Sequence, residues 1–311
     1  MGKPRNNTLD LLGYLAMRLV AMFFHMFSIE SNYRTVDLGA RLLCRLSRRH
    51  VNRAREHLRR SFPDWDEARI DRVARQSLRS LLAFGMELLF MPRLMTPMTW
   101  RRHVRLRDIE PAIEQLVRRP SGAILVTGHY GNFDLVGYTM ATLGLPSVAV
   151  FRPLDNTYIN DYVMAVRERT GQSLLFKKGA VANMDEILDA HGTLCFIGDQ
   201  DAGRKGIFAD FFGRPASTYR SIGLMAIGHN APVIVGYGIR LDEHFSFEIG
   251  IERIIQPSEW AGKDDPLAWL TQEYTLALEQ AIRRAPEQYW WVHRRWKHRP
   301  KGEPEAVGGV A

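Results

Sequence analysis

The chain has 311 residues, 46% hydrophobic and 24% charged, which is the composition of a globular protein with ample material for a core. With only two cysteines, Cys44 and Cys195, it offers neither a disulfide framework nor a cysteine-rich metal site, and it fits a reducing, cytosol-facing environment. The formal net charge of +8 suits anionic partners: phospholipid headgroups, phosphorylated glycolipids, an acidic carrier protein or nucleic acid.

The first element is an apolar run, LLGYLAMRLVAMFFHMFSI, over residues 11–29. It is almost long enough to span a bilayer, which takes roughly 20 residues. It has no clear small-residue cleavage site, so a secretory signal is not expected. Arg18 and His25 lie inside it, and an arginine at mid-membrane costs roughly 2.5–3.5 kcal/mol on insertion scales. A helix lying in one leaflet is therefore expected in preference to a span or a soluble core helix. Residues 9–95 read as helical almost throughout. RLLCRLSRRHVNRAREHLRRSF repeats arginine along one side of a helical period, as helices on anionic membrane surfaces do. Pro63 and Asp64 then mark the start of a further long helix.

From about residue 120 the pattern changes. GAILVT, PSVAVF, QSLLF, TLCFIG and PVIVGYGI read as buried strands. FDLVGYTMATLG, NTYINDYVMAVRERTG and VANMDEILDA read as helices between them. This alternation predicts an α/β fold, a largely parallel central sheet with flanking helices. FSFEIGIERI alternates more cleanly and is expected as an antiparallel edge strand, followed by a long helix over PLAWLTQEYTLALEQAIRRAP. The expected organisation is a helical, membrane-associating region over 1–100, an α/β core over 101–300 and a flexible tail over 301–311.

In such a sheet, ligands bind beyond the carboxyl ends of the strands. GHYGNFD follows GAILVT there, with glycines for a tight turn and Asn132 or Asp134 near a helix start. A turn can bring His129 and Asp134 together. An aspartate on one imidazole nitrogen fixes the tautomer and raises the basicity of the other, which yields a base able to deprotonate an alcohol. The alternative is a capping aspartate and an ordinary loop histidine. There is no G-x-S-x-G elbow, phosphate loop, dinucleotide fingerprint or H-E-x-x-H. The spacing supplies too few ligands for a metal.

HYGNFD resembles the His-x4-Asp motif of the lysophospholipid and glycerolipid acyltransferase superfamily. More specifically, the chain resembles the late acyltransferases of lipid A biosynthesis, the lauroyl/myristoyl transferase family. VFRPLDN, FIGDQDAGRKGIFADFFGRPAST, APVIVGYGIR and PEQYWWVHRRWKHRP are similar to further blocks of that family in the same order, so the likeness covers about residues 10–300. The resemblance implies transfer of a fatty acyl group from an acyl carrier protein or coenzyme A to a glycolipid hydroxyl, at the cytoplasmic face of the inner membrane. His129 is then the general base and Asp134 its support, with no metal or redox cofactor. Lipid A members often carry glutamate at the second position, so the aspartate here loosens the acceptor assignment. Lysophospholipid and phosphatidylinositol mannoside acceptors remain alternatives, and a basic nucleic-acid-binding protein is the rival from another class.

Arg152 follows PSVAVF and is expected at the same rim, binding an acceptor phosphate or the developing oxyanion, with a structural salt bridge as the alternative. Asp199 and Asp201 follow TLCFIG at the next strand end; they orient Arg152, contact the acceptor sugar or organise the loop. Asn132 and Arg204 complete the expected substrate-binding set, with Lys205 and Arg214 adding to a phosphate-facing surface. Phe211 and Phe212 are expected as packing residues. WVHRRWKHRP mixes tryptophan with cations, as interfacial segments do.

Overall fold

The computed structural model describes residues 7–118, 121–151, 153–168, 173–176, 181–242, 244–300 and 302. Arg152 and nearly all of the expected tail lie outside these residues.

The helical region forms α1 (Asn7–His25), α2 (Ile29–Leu46), α3 (Arg48–Ser61) and α4 (Glu67–Leu94). The helix built on the apolar run thus covers Asn7–His25 rather than 11–29. Ser28 ends it by accepting a hydrogen bond from the Ser31 amide, which caps α2. Of α1 only Ala21 is buried. Its internal arginine is held against two tyrosines: Arg18 donates to the Tyr14 hydroxyl at 2.8 Å and lies 5.2 Å from the Tyr162 ring centre. Helix α2 buries Ile29, Tyr33, Val36 and Ala40, while Leu38, Leu42 and Leu46 stand exposed in line along another face. The arginines of α3 are less free for a membrane than their sequence suggests. Arg55 pairs with Asp71, Arg59 with Glu67 and Arg60 with Glu56, so part of that charge is matched on α3 and α4.

Strand β1 (Val104–Arg107) and α5 (Glu110–Arg118) lead into β2 (Ala123–Thr127), α6 (Asp134–Thr142), β3 (Val148–Phe151), α7 (Thr157–Glu168), β4 (Ser173–Phe176), α8 (Val181–Asp189) and β5 (Thr193–Ile197). A small hairpin of β6 (Ile207–Asp210) and β7 (Pro215–Thr218) follows. After it come α9 (Arg220–Gly228), β8 (Val233–Arg240), β9 (Phe247–Ile255), α10 (Pro257–Trp260), α11 (Pro266–Arg284) and a 3-10 turn at Pro286–Gln288.

The main sheet is seven-stranded, in the order β1-β9-β8-β2-β5-β3-β4. Strands β8, β2, β5, β3 and β4 run parallel, and β9 is antiparallel to β8. The expected strand FSFEIGIERI is β9, but it is not an edge, because β1 pairs with it in parallel. VRLR has four residues with exposed arginines, too short and too charged to read as a strand by itself. At the centre, β2 is buried at every position. Ile124 and Val126 face a core made with α3, α9 and α11, and Ala123 and Leu125 face one made with α2, α5 and α6. Burial on both sides is why this strand reads as an unbroken apolar run.

Candidate active site

The sheet register sets the site. Strands β2 and β5 are adjacent and parallel, with Thr127 paired to Ile197 at their carboxyl ends. His129 and Asp199 each stand two residues beyond, so equal offsets place them side by side. The His129 Nδ1 lies 2.8 Å from Asp199 Oδ1, and the His129 amide donates to Asp199 Oδ2 at 2.9 Å. The partner of His129 is therefore Asp199. Asp134, expected to hold the ring, begins α6 and accepts both its hydrogen bonds from Arg167 Nη2 of α7, at 2.9 and 2.8 Å. Asp134 is thus engaged by Arg167, whereas the parallel register brings Asp199 to the imidazole.

This geometry defines the tautomer. With Nδ1–H donating to an ionised Asp199, Nε2 carries the lone pair. The Gln200 amide nitrogen is 3.3 Å from it, placed to donate there. Burial by itself raises the Asp199 pKa, but the His129 charge and the hydrogen bonds from His129 outweigh that and hold the carboxyl well below the usual range. The result is a fixed acceptor lone pair at the rim, backed by a fixed negative charge.

Aromatic rings wall the imidazole. Phe133, Trp290 and His293 have ring centres 5.2, 5.1 and 4.4 Å from that of His129. Burial, then the neighbouring His129, lowers the His293 pKa to about 4, so that ring is neutral near pH 7. The segment carrying Trp290 and His293 is the one expected to be interfacial. Instead, Trp291 and Arg295 are 0% and 1% exposed. The Trp290 amide donates to the His129 carbonyl, and His57 Nδ1 lies 2.8 Å from the Trp291 carbonyl. Arg295 donates to the carbonyls of Gln200 and Ser217 and to the Thr218 hydroxyl. Trp296 donates to Phe211, and Arg214 lies over the Trp296 ring rather than on a phosphate-facing surface. These tryptophans and cations clamp the Asp199–Asp201 loop onto the sheet. Phe211 and Phe212 are buried packing residues, as expected.

The other expected site residues divide. Asp201 bonds His298 Nδ1 at 2.6 Å and the Gly203 amide at 3.3 Å, so it organises its loop. Arg204 is exposed in the following 3-10 turn. Asn132 is fully buried and turns away from the rim. Its amide nitrogen donates to Glu87 Oε2 at 2.8 Å, and its oxygen accepts from the Leu135 amide at 3.3 Å. Sequence reading missed Gln200, Trp290, His293 and Arg167. The equal offsets of His129 and Asp199 from their strand ends were a signal for the pairing; nothing in the spacing placed Trp290 or His293.

Arg167 also lines an apolar cavity of about 350 Å³ between α1, α4 and α7. Met17, Val20, Phe24, Leu82, Met86 and Val163 are among the residues of its wall. Its volume is in the range of small-molecule pockets. Through the Arg167–Asp134 pair it adjoins the helix that follows the His129 turn, and it is bounded on its other side by the exposed helix α1.

Fold and rim together define an α/β enzyme with an oriented imidazole beyond the central strands. Residues 3–298 match the family described as bacterial lipid A biosynthesis acyltransferase, and the chain belongs to that family of transferases. It is 25% identical to the lipid A biosynthesis lauroyltransferase of Escherichia coli (strain K12) over 272 residues, 85% of this chain and 84% of that one. It is 26% identical to the lipid A biosynthesis palmitoleoyltransferase of the same organism over 267 residues, covering 82% and 81%. A lipid A biosynthesis acyltransferase of Haemophilus influenzae (strain ATCC 51907 / DSM 11121 / KW20 / Rd) is 26% identical over 254 residues, covering 79% and 77%.

Proposed function

We propose that this protein transfers a fatty acyl group from a thioester, on an acyl carrier protein or coenzyme A, to a hydroxyl of a lipid A-type glycolipid. The observation that carries the mechanism is the His129–Asp199 contact, which leaves Nε2 as a free base at the rim. The acceptor hydroxyl replaces Gln200 at Nε2 and gives up its proton as its oxygen attacks the thioester carbonyl. A tetrahedral oxyanion forms; its collapse breaks the carbon–sulfur bond, and the departing thiolate takes the proton from the imidazolium. Asp199 keeps Nδ1–H in place and stabilises the imidazolium.

Arg152, next in sequence after β3, binds the acceptor phosphate, and the exposed Arg204 adds to that surface. The acyl chain lies in the apolar cavity beside Arg167, close to where it leaves the membrane. Helix α1 is long and apolar enough to cross a bilayer, and almost none of it is buried within the protein. It seats the enzyme on the cytoplasmic face of the inner membrane.

The test is transfer from a labelled acyl thioester to extracted glycolipid, with products weighed by mass spectrometry. Wild type acylates a hydroxyl, and a folded His129→Ala protein is slower by about 10²–10⁴-fold, the usual contribution of a positioned base. Near-normal turnover in His129→Ala contradicts the mechanism. No transfer by wild type from either donor contradicts the activity.

A further inference from the structure

A densely bonded polar cluster lies beneath the rim, on the buried side of the His129 turn. Glu87 of α4 and Arg240 of β8 are buried and form an ion pair through Arg240 Nε to Oε1 and Nη2 to Oε2, the latter at 3.0 Å. Tyr33 of α2 donates to Glu87 Oε1 at 2.9 Å, and Asn132 donates to Oε2 at 2.8 Å. Arg240 Nη1 donates to the Ser80 hydroxyl at 2.8 Å, and Nη2 reaches the Ser80 and Gly131 carbonyls at 3.3 and 3.4 Å. Gln288 bonds the Arg240 backbone in both directions, at 2.8 and 2.9 Å, and its carbonyl accepts from the Gly131 amide at 3.1 Å.

Buried ion pairs are a poor way to gain stability, because apolar residues of similar volume often do as well. What this one does differently from an apolar pair is fix directions. Besides Tyr33 and Ser80, the pair engages the Gly131 carbonyl and the Asn132 amide, two and three residues after His129. The turn is closely packed there. Gly131 has φ +59°, and a Cβ on it would stand 2.0 Å from the Gly238 carbonyl oxygen, while the Asn132 amide donates to that same oxygen at 2.7 Å.

We infer that Glu87 and Arg240 are positioning residues, which act through Asn132 and Gly131 to hold the His129 imidazole at the rim. The inference rests on the acyl-transfer reading for its kinetic consequence. Loss of the pair lets the turn shift while the substrate sites, built on other elements, stay in place. A misplacement of about 1 Å is enough to lower turnover about 10²-fold.

The experiment uses the full chain on membranes and compares wild type, the apolar double variant Glu87→Leu/Arg240→Met, and Asn132→Ala. The double variant removes the pair without leaving a buried charge. It should fold with kcat lowered about 10²-fold and both KM values within about threefold of wild type. Asn132→Ala keeps the ion pair and removes its link through Asn132, together with the bond that Asn132 accepts from the Leu135 amide, so it reads the turn's support should the double variant not fold; its kcat should fall about tenfold or more. Hydrogen exchange, which needs no activity, should show faster exchange at the Gly131 and Asn132 amides in both. A folded double variant, or Asn132→Ala protein, with wild-type kcat and unchanged exchange overturns the positioning role. A wild type that transfers no acyl group fails the functional reading instead, and the exchange measurement then still decides whether the pair holds the turn.

Discussion

His129 and Asp199 meet because β2 and β5 are neighbours in register, although 70 residues separate them in sequence. The carboxylate nearest in sequence, Asp134, is engaged by Arg167 instead. One consequence is a division of labour between two aspartates: Asp199 controls the imidazole, and Asp134 ties the helix after the turn to α7 and the apolar cavity.

That cavity offers a direct test of chain length. Gly85 of α4 lines it, and a Cβ there meets nothing within 4 Å. Gly85→Leu should fill part of the space without strain, and the loss of a helical glycine is itself favourable by up to about 1 kcal/mol. The variant should keep or gain thermal stability while its donor preference moves to shorter acyl chains. Competition between labelled thioesters of different length checks this. An unchanged preference places the acyl chain elsewhere.

Acid should loosen the protein in a defined window. Burial holds His57 neutral, its pKa down to about 3, and burial with the His129 neighbour lowers His293 to about 4. In the unfolded chain both titrate near the ordinary value of about 6.5. Between that pH and about 4 the unfolded state binds protons that the folded state does not. Stability is therefore fully present above about pH 6.5 and falls as pH drops through the window, by up to about 1.4 kcal/mol per unit for each ring. The depressed Asp199 acts in the same direction, but only below the ordinary carboxylate range. Melting temperatures at pH 7.5 and 5 should differ, and His57→Gln should flatten the slope. A pH-independent melting temperature for wild type contradicts this.

The sequence made the parallel core legible because buried strands are short apolar runs, and each of the five expected ones is present. It was less informative wherever identity depends on a distant partner. The strand VRLR exists because β9 has an open edge to fill. The tryptophan-and-arginine segment looks interfacial by composition. Trp291 and Arg295 are nevertheless buried, because Arg295 finds carbonyls on β7 and the Asp199 loop to bond. Asp134 matched a motif spacing, but spacing says nothing of which carboxylate the sheet register delivers to the histidine.

Membrane seating should depend on two apolar surfaces together. Leu19, Met22, Phe23 and Met26 of the N-terminal segment are more than half exposed, and so are Leu38, Leu42 and Leu46 on α2. Replacing the three α2 leucines with aspartate should release the protein from anionic vesicles in sedimentation without lowering its melting temperature, since none of them packs in the core. High salt should weaken binding only partly, because several α3 arginines are already paired and the remaining attraction is screened within about 10 Å at 0.1 M. Unchanged sedimentation of the triple variant contradicts the assignment.

The most direct test compares the two aspartates in one assay. Acyl transfer by Asp199→Asn and Asp134→Asn is measured on the same membranes, with folding verified by melting temperature. Asp199→Asn leaves an amide that no longer stabilises the imidazolium and can favour the wrong tautomer, so kcat should fall about 10²–10⁴-fold. Asp134→Asn, which loses an ion pair to Arg167, should fall by no more than about tenfold. A larger loss in Asp134→Asn than in Asp199→Asn would contradict the central claim that Asp199 orients the base.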